Sequence, residues 1–386
     1  MNLETKLYDV AVIGAGVFGA WIAHRLRQAR KNVLLIDAFG PGNSRSSSGG
    51  ESRIIRMGYG QDEIYSRSAQ RSMELWQEFF TKIGEPLFHQ TGVLWLAHEN
   101  DPYPVRTAET LTRLAIPFER LTTTELHHRY PQIALHGIVL GVLEPNSGVL
   151  MARRAVQAVV REAVRAGVEY LQAAVFPPAP DGRFDSLRTT DGKHITASAY
   201  VFACGPWLPK LFPKLLADRI HPTRQEVFFL GVPAGDTRFA PLTLPTLIDF
   251  KDEAYVLPDL EGRGVKIAID RHGPSFDPDD GDRVITQKGL AEVRRYIRRR
   301  MPALKDAAVT ETRICQYENT SNGDFLIDRH PDFENVWLVG GGSGHGFKHG
   351  PAVGEYVAQR VEGSPGDVEP RFSLASKSVD RSRAVY

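Results

Sequence analysis

The sequence is poor in cysteine, since only Cys204 and Cys315 occur among its 386 residues. Two cysteines cannot build a disulfide framework, which is typical of proteins from a reducing compartment. The chain also lacks any run approaching the roughly 18 apolar residues of a membrane-spanning helix, and its first ten residues show no secretory signal pattern. We therefore expect a cytoplasmic protein that does not bind a membrane.

An excess of charge of one sign is missing as well. Lys and Arg number 47, Asp and Glu number 46, and the formal net charge is +1. This balance argues against a general electrostatic attraction to nucleic acid or anionic membranes. Apolar residues make up 42% and charged residues 24%, which is ordinary for a globular protein. The length allows two domains, or one large domain with an insertion.

The first forty residues contain the clearest motif. An apolar run that ends in glycines, YDVAVIGAGVFG, precedes AWIAHRLRQAR with helical spacing and then a second apolar run, KNVLLIDA. This strand–helix–strand pattern frames the dinucleotide fingerprint Gly14-x-Gly16-x-x-Gly19. Gly14 permits a tight turn, Gly16 lets the backbone approach a pyrophosphate, and Gly19 allows close packing of helix on strand.

Asp37 ends the second apolar run, where a carboxylate accepts the ribose hydroxyls of a bound dinucleotide. Because NAD and FAD share an unphosphorylated ribose, Asp37 argues mainly against NADP. The fingerprint therefore predicts a dinucleotide site and leaves NAD and FAD open. The alternative is a glycine turn in an ordinary parallel-sheet unit.

A segment rich in serine and glycine, PGNSRSSSGGESRIIRMGYG (41–60), leads into two arginines. One interpretation is a flexible surface loop. On a helical turn, however, Arg53 and Arg56 would share one face at positions i and i+3. Two planar guanidinium groups on one face suit a carboxylate or a phosphate. The segment is predicted to bind an anionic part of a ligand.

Helical and strand patterns continue along the chain. From 219 to about 285 the pattern is mostly strand and predicts a second, antiparallel sheet. The stretch EVRRYIRRR (292–300) predicts a basic helix with a solvated face, and residues 373–386 a poorly ordered C-terminal tail. Helical spacing predicts further helices near 62–82, 104–115, 122–130 and 152–166.

A second strand, glycine-rich turn and helix occur near the end of the chain, in VWLVGGGSGHGFKHGPAVGEYVAQ (336–359). Their position indicates a discontinuous cofactor domain with strands from the start, middle and end of the sequence. We expect an α/β fold with a Rossmann-like, doubly wound domain and a second α+β domain on a mostly antiparallel sheet. The apolar run YVFACG ends in glycine, and Cys204, at this buried strand end, is predicted to be structural. Cys315 stays open between a core filler and a reactive thiol.

Eight landmarks stand in order along the chain: VIGAGVFG, the acid Asp37, ESRIIRMGYG, TGVLWL, EPNSGVL, CGPW, CQYENT with FLIDRHP, and GGSGHGFK. With them the chain resembles, over roughly residues 8 to 372, the monomeric sarcosine oxidase and N-methyltryptophan oxidase family of flavin amine oxidases, within the larger D-amino-acid-oxidase-like group. The resemblance implies FAD as the cofactor and a monomer.

The implied domain organisation is discontinuous. The FAD-binding domain would comprise 1–85, 145–218 and 312–372. The substrate domain would comprise 86–144 and 219–311, and the tail 373–386 would follow.

The resemblance implies that Cys315 carries FAD covalently, through a thioether to the flavin 8α-methyl group. The matching pattern here is Cys315, Tyr317, Thr320 and the segment FLID (325–328). Because a thiolate is the competent nucleophile, a neighbouring cation would favour attachment. His349 and the nearby arginines are the candidates for that cation.

Further implied roles concern substrate and oxygen. Arg56 and Lys348 match the pair that binds the substrate carboxylate, and Arg53 matches an arginine close to the flavin ring. Lys266 matches a lysine that activates dioxygen, where a fixed cation would stabilise developing negative charge. Without the resemblance, we would interpret Lys266 as a solvated strand lysine.

Two tyrosines and an aspartate complete the predicted catalytic set. Tyr255 and Tyr317 fall at active-site positions of the family, whereas Asp270 stands where sarcosine oxidase has a histidine. Gly49 replaces a second histidine. A carboxylate at 270 would add negative charge near the substrate amine or pair with an arginine. These departures leave the substrate open among N-methyl amino acids, cyclic secondary amino acids and related α-amino acids.

The remaining implied contacts are with FAD. The backbone at Gly344–Gly346 should stabilise negative charge on the flavin. No metal is expected. Besides the fingerprint glycines, Arg53 and Cys315, the implied cofactor contacts are Val17, Phe18, Asp37, Ala38, Ser47, Ser48, Ile54, Val175, Cys204, Gly205, Trp207, Gly344, His345, Gly346, Phe347 and Lys348.

The predicted reaction is oxidation of the C–N bond of a secondary or N-methyl amino acid to an imine, with reduction of O2 to H2O2. The alternatives are an FAD-dependent dehydrogenase with another electron acceptor, a non-catalytic flavin-binding subunit, and an NAD-dependent dehydrogenase with the same fingerprint. Lys266 argues for the oxidase, and CQYENT with the second glycine turn argues against NAD.

Overall fold

The computed structural model describes residues 7–178, 184–364 and 368–378. Residues 1–6 and the last part of the predicted tail, 379–386, lie outside the described residues. The helices are α1 (Val17–Gln28), α2 (Glu63–Ile83), α3 (Pro102–Arg113), α4 (Thr123–Arg129), α5 (Ala152–Arg165), α6 (Leu208–Leu211), α7 (Pro213–Leu216), α8 (Gln287–Arg300) and α9 (Gly350–Val361). The strands are β1 (Leu7–Ile13), β2 (Val33–Asp37), β3 (Arg53–Ile55), β4 (Phe88–His89), β5 (Val93–His98), β6 (Glu119–Leu121), β7 (Ile138–Glu144), β8 (Gly148–Leu150), β9 (Glu169–Gln172), β10 (Leu187–Arg188), β11 (His194–Phe202), β12 (Ile220–Leu230), β13 (Thr246–Asp249), β14 (Ala254–Leu257), β15 (Val265–Ile269), β16 (Val309–Thr320), β17 (Leu326–Arg329) and β18 (Val336–Gly340).

A seven-stranded sheet carries the fingerprint. Its order is β17-β18-β11-β1-β2-β9, with β10 paired to β11, and the five strands from β18 to β9 are parallel. Alternate residues of β1 face opposite sides, as the strand period requires. Val10 and Val12 pack in one core with α1, α5 and α9, whereas Ala11 and Ile13 pack in another with α6 and α7. This sheet, covered on both faces, confirms the doubly wound prediction.

The second large sheet is mostly antiparallel and has eight strands. Its order is β16-β12-β15-β14-β13-β5-β7-β6, and only the pair β13 and β5 is parallel among the described strands. Helices α4 and α8 pack on it, with Leu126 and Val293 in a shared apolar core. A small third sheet has the strand order β3-β8-β4. The predicted α/β fold with an antiparallel second sheet is confirmed.

The helices predicted from spacing are confirmed as α2, α3, α4 and α5. The predicted helical turn at the two arginines is wrong, because residues Arg53–Ile55 form β3 and pair with β8. Ile54 and Ile55 are β-branched and suit a strand. Their side chains pack against the core around α2.

The basic helix α8 is not solvated along its whole length. Arg300 and Asp249 are both completely buried, and Arg300 Nη2 donates to Asp249 Oδ2 over 3.1 Å. His98 Nε2 lies 2.8 Å from the other Asp249 oxygen. Arg300 also donates to the carbonyl oxygen of Ala134. A buried charge requires such partners, so the last arginine of the run is a structural residue.

The described part of the predicted tail, 373–378, is folded against the protein, so the expected disorder is wrong there. Lys377 is 1% exposed, and its Nζ donates to the Arg371 carbonyl oxygen over 2.6 Å and to Ser376 Oγ over 3.0 Å. Burial lowers the pKa of Lys377 to about 8. The segment is held by these polar contacts, which hydropathy does not reveal.

The strands of the parallel sheet come from the three segments predicted for the FAD-binding domain. Strand β16 crosses the predicted boundary between 311 and 312, because it pairs with β12 from Thr320 to Val309. The domain division itself stays a prediction. Within the described ranges, no helix combines the length and apolarity needed to cross a membrane.

Replacing Arg300 with methionine should lower the free energy of unfolding by about 3 kcal/mol, because it leaves the buried Asp249 charge without its guanidinium partner. Denaturant unfolding measures the change. The matched control is Arg299→Met, one position earlier, where an exposed arginine pairs with Asp252 at the surface. That variant should lose less than about 1 kcal/mol. Equal losses would contradict the structural role of Arg300.

Candidate active site

A first cavity of about 400 Å³ opens at the carboxyl ends of β1, β2, β11 and β18. This is where ligands bind in doubly wound sheets. Asp37 closes one side, and its two carboxylate oxygens accept hydrogen bonds from the backbone N–H groups of Ala15 (2.7 Å), Phe39 (2.8 Å) and Gly40 (2.8 Å). Burial raises the pKa of Asp37, and these bonds oppose the shift.

The fingerprint glycines are fixed by close approaches of the backbone. A Cβ on Gly14, which has φ +104°, would lie 2.3 Å from the Ala203 carbonyl oxygen. A Cβ on Gly19 would lie 1.8 Å from the Gly14 carbonyl oxygen. A side chain at Gly14 would push this turn away from the end of β11, and one at Gly19 would push α1 away from the turn. Gly16 faces the cavity instead, and the next N–H, of Val17, donates to Ser48 Oγ over 3.0 Å.

A second cavity of about 650 Å³ is lined by strands of the antiparallel sheet, by Arg53, Ile54 and Arg56, and by the glycine-rich turn after β18. It meets the first cavity at five shared lining residues: Arg53, Cys315, Tyr317, Gly344 and Phe347. All seven residues predicted to be catalytic or substrate-binding line it, namely Arg53, Arg56, Tyr255, Lys266, Asp270, Tyr317 and Lys348.

The predicted cofactor contacts divide between the two cavities. Ile54, His345 and Lys348 line the second cavity, and Gly19 lies behind the first one, at the contact of α1 with the sheet. The other predicted contacts line the first cavity: Gly14, Gly16, Val17, Phe18, Asp37, Ala38, Ser47, Ser48, Arg53, Val175, Cys204, Gly205, Trp207, Cys315, Gly344, Gly346 and Phe347.

Cys315 lies at the junction of the cavities. Arg53 Nη2 lies 3.3 Å from its sulfur and also donates to the Ser47 carbonyl oxygen over 2.6 Å. The alternative cation, His349, is engaged elsewhere, because its ring nitrogens contact Tyr59 Oη (2.7 Å) and Ser68 Oγ (2.9 Å). Burial lowers the pKa of His349 well below its usual value, so its ring is neutral. The structure places a permanent cation, Arg53, beside the Cys315 thiol.

Arg56 and Lys348 converge on one aromatic side chain. The guanidinium carbon of Arg56 lies 4.4 Å from the ring centre of Tyr59 and 4.7 Å from that of Trp95. Lys348 Nζ donates to Tyr59 Oη over 2.8 Å and to the His345 carbonyl oxygen over 2.9 Å. Both cations are buried. Two buried cations that contact the same tyrosine at a cavity wall are suited to a carboxylate.

Two tyrosines surround the carboxyl group of Asp270. Tyr317 Oη donates to Asp270 Oδ1 over 2.5 Å. Burial, and next the charge of Asp270, raise the pKa of Tyr317 and of Tyr255 well above the usual value. Both phenols therefore stay protonated and act as hydrogen-bond donors at neutral pH.

Lys266 lies on β15 and is buried beside Arg53. Its Nζ donates to the Ser52 carbonyl oxygen over 2.8 Å and lies 3.3 Å from Ser52 Oγ. Burial, and next the positive charge of Arg53, lower the pKa of Lys266 well below its usual value. The sequence predicted a fixed cation at this position, whereas the site holds an amine that titrates.

The family model described as DAO, FAD dependent oxidoreductase, matches residues 9–360 of the chain. The chain belongs to this family. Membership decides between NAD and FAD in favour of FAD, and the protein is an FAD-dependent oxidoreductase. The resemblance found from the sequence landmarks is confirmed.

Relatives of known activity match this DAO-family chain along most of its length. Monomeric sarcosine oxidase from Arthrobacter sp. (strain TE1826) is 31% identical over 368 residues, covering 92% of each chain. Peroxisomal sarcosine oxidase from Homo sapiens is 30% identical, covering 99% of this chain and 98% of the relative. N-methyl-L-tryptophan oxidase from Salmonella heidelberg (strain SL476) is 28% identical, covering 97% and 99%.

Solved structures share the DAO fold. L-proline dehydrogenase from P. horikoshii superposes with a TM-score of 0.84 at 24% identity and covers 96% of this chain and 97% of its own. A thermally stable mutant of fructosyl peptide oxidase superposes with a TM-score of 0.81 at 20% identity, covering 95% and 93%. At these identities the likeness establishes the fold alone.

The first cavity fits FAD on observations of its own. Gly16 has no side chain between the start of α1 and the cavity, and Asp37 retains acceptor capacity for ribose hydroxyls beyond its three backbone bonds. Glu318 presents a buried carboxyl oxygen, Oε2, without a hydrogen-bond partner in the described chain. A dinucleotide with hydroxyl donors would satisfy it.

Residue Glu318 was missed by the sequence analysis. Burial raises the pKa of its carboxyl group to about 7, although the backbone N–H groups of Gly341 and Gly342 oppose the shift. The only signal was an acid inside the landmark CQYENT. Nothing in the sequence places that acid at the ends of β11 and β18.

In flavin-free protein, an alkylating reagent should label Cys315 at least about tenfold faster than Cys204, because the thiolate is the reactive form. The sulfur of Cys315 lies at the junction of the two cavities, 3.3 Å from the guanidinium of Arg53. The Cys204 thiol donates to the Ile13 carbonyl oxygen over 3.3 Å, and burial raises its pKa well above the usual value. Mass spectrometry of the labelled peptides measures the ratio. Faster labelling of Cys204 would contradict this description.

Proposed function

We propose that the protein oxidises the C–N bond of an N-methyl or cyclic secondary amino acid to an imine and passes the electrons to O2, giving H2O2. The observation that carries the proposal is the pair Arg56 and Lys348 at the wall of a cavity that opens on the FAD cavity at Cys315. The curated relatives are named for sarcosine and N-methyl-L-tryptophan, which supports this substrate class.

The side chains of the second cavity would orient the substrate. Arg56 and Lys348 would bind its carboxylate and fix one end of the molecule. Tyr317, Tyr255 and Asp270 would then face the amine, with the Tyr317 hydroxyl hydrogen kept in its bond to the Asp270 carboxyl group. FAD, when bound, supplies the acceptor for the electron pair of the C–N oxidation and its transfer to oxygen.

We further propose that FAD is attached through the Cys315 sulfur, beside the guanidinium of Arg53. The 3.3 Å contact between the two side chains supports this. A cytoplasmic monomer with one small-molecule substrate is the assembly we propose, in line with the name of the monomeric relatives.

A dehydrogenase with another electron acceptor is the second candidate. It is favoured by the lowered pKa of Lys266, because a neutral amine stabilises developing negative charge less than an ammonium. Oxygen reactivity of the reduced enzyme separates the two candidates.

Under air, the enzyme should release peroxide with N-methyl amino acids, proline or pipecolate, and kcat/KM should fall about 100-fold for the matching amines that lack the carboxylate. The reason is the loss of charge-assisted hydrogen bonds to two cations. A coupled peroxidase assay measures the ratio. Oxidation of the amines as fast as the amino acids would contradict the proposed substrate class.

The variants Arg56→Gln and Lys348→Met provide the control for that ratio. Each should lower kcat/KM for the amino acids and leave kcat/KM for the carboxylate-free amines nearly unchanged, because only the former interact with the cations. A uniform loss on both would indicate damage to the fold instead.

Acid precipitation should give a yellow pellet from the wild-type protein and a colourless one from Cys315→Ser, because a thioether survives denaturation and a bound cofactor does not. Cys204→Ser is the matched control and should stay yellow. Absorbance of the redissolved pellet measures the attached flavin. A colourless wild-type pellet from yellow protein would rule out the thioether.

Reoxidation of the reduced enzyme by O2 should slow as pH rises, because the Lys266 ammonium is present below its folded pKa and lost above it. Since burial lowers that pKa, the transition should lie well below pH 10.5. Lys266→Met should be about 100-fold slower and insensitive to pH in this range. Stopped-flow absorbance measures both rates. A pH profile that survives in Lys266→Met would exclude this role.

A further inference from the structure

Glu318 is a buried acid that the proposed chemistry does not use. We propose that its Oε2 accepts a hydrogen bond from a hydroxyl group of the FAD ribityl chain and so helps to bind the cofactor. The inference rests on FAD binding and is independent of the proposed oxidase activity.

The two carboxyl oxygens of Glu318 have different surroundings. Oε1 accepts from the backbone N–H of Gly342 over 3.2 Å, whereas Oε2 is buried and has no hydrogen-bond partner among the described residues. The residue is 8% exposed. A buried acceptor without a partner is costly and therefore rare. A ligand group that donates to Oε2 removes this cost.

The position of Oε2 indicates where that donor must come from. A Cβ on Gly205 would lie 3.7 Å from Oε2, and one on Gly340 would lie 3.1 Å from it. These glycines follow β11 and end β18, respectively, so Oε2 lies in the gap between two strand ends of the parallel sheet. Glu318 itself lines the first cavity. The oxygen is thus reached from the FAD cavity.

The chemistry of the acceptor selects the ribityl chain. A pyrophosphate belongs at the fingerprint turn, at the N-terminus of α1, and a phosphate beside a carboxylate would bring like charges together. Cys315 lies three residues before Glu318 on β16, at the junction with the second cavity, where the flavin ring must meet the substrate. The part of FAD between the pyrophosphate and the ring is the ribityl chain, and its hydroxyls are donors.

Glu318 also contacts the glycine-rich turn after β18. Gly342 is held by Oε1, so the carboxyl group connects the glycine-rich turn after β18 with the end of β16. Glu318 therefore has a structural contact with the turn at Gly341 and Gly342, and an acceptor, Oε2, without a hydrogen-bond partner among the described residues. Any test must separate these two roles.

The experiment measures FAD binding by flavin-free protein in the Cys315→Ser background, where FAD stays exchangeable. Kd values for FAD and for ADP are compared by fluorescence and calorimetric titration, with and without Glu318→Leu. ADP contains the adenine, ribose and pyrophosphate of FAD and lacks the ribityl chain. We expect Glu318→Leu to raise the Kd for FAD at least about tenfold and to leave the Kd for ADP unchanged.

Two controls keep the test decisive. Glu318→Gln retains an acceptor for the Gly342 N–H and should still weaken FAD binding, by less than Glu318→Leu. Asn319→Ala removes the neighbouring side chain, which donates to Thr223 Oγ1 over 2.8 Å and does not line the cavity. This variant should leave both Kd values unchanged. An unchanged Kd for FAD in both Glu318 variants, or equal losses for FAD and ADP, would overturn the proposal. Equal losses would mean that Glu318 acts through the shape of the turn.

Discussion

The pairing of β16 with β12 is the constraint on which both cavities depend. The two strands pair from Ile220 opposite Thr320 to Leu230 opposite Val309, and this register places Cys315 opposite Gln225. Because side chains alternate along a strand, successive residues of β16 face opposite sides. Cys315 and Tyr317 line both cavities, whereas Gln316 and Glu318 line only the first. A slip of one residue would exchange these sets and remove the thiol from the junction.

Burial of charge is the second determinant of the site. The cations of the second cavity are held by neutral groups: Arg56 by the rings of Tyr59 and Trp95, Lys348 by a phenol, and Lys266 by a serine. Loss of solvent affects the charge of a guanidinium and of an amine differently. The guanidinium of Arg53 keeps its charge beside the thiol, whereas the amine of Lys266 loses its proton more easily. One cavity thus combines permanent and titratable cations, which suits carboxylate binding together with redox chemistry.

The fold and the cofactor could be predicted from the sequence because their signals are local. The glycine pattern of β1 and α1, the spacing of α2 to α5 and the ordered landmarks all lie in continuous segments. The environment of a side chain is not local. Arg53 and Arg56 are three residues apart, which suggested that they share one face of a helical turn. The structure brings both to one cavity in another way, because Arg53 lies on a strand and Arg56 directly follows it. The sequence does not show that Arg300 and Glu318 are buried, because their partners are distant in the chain.

Anaerobic mixing of the holoenzyme with N-methyl amino acids, proline and pipecolate tests the central claim most directly. We expect at least one of them to bleach the absorbance of the oxidised flavin, and admission of air to restore it with stoichiometric release of peroxide. An unchanged flavin spectrum with every secondary amino acid would contradict the account.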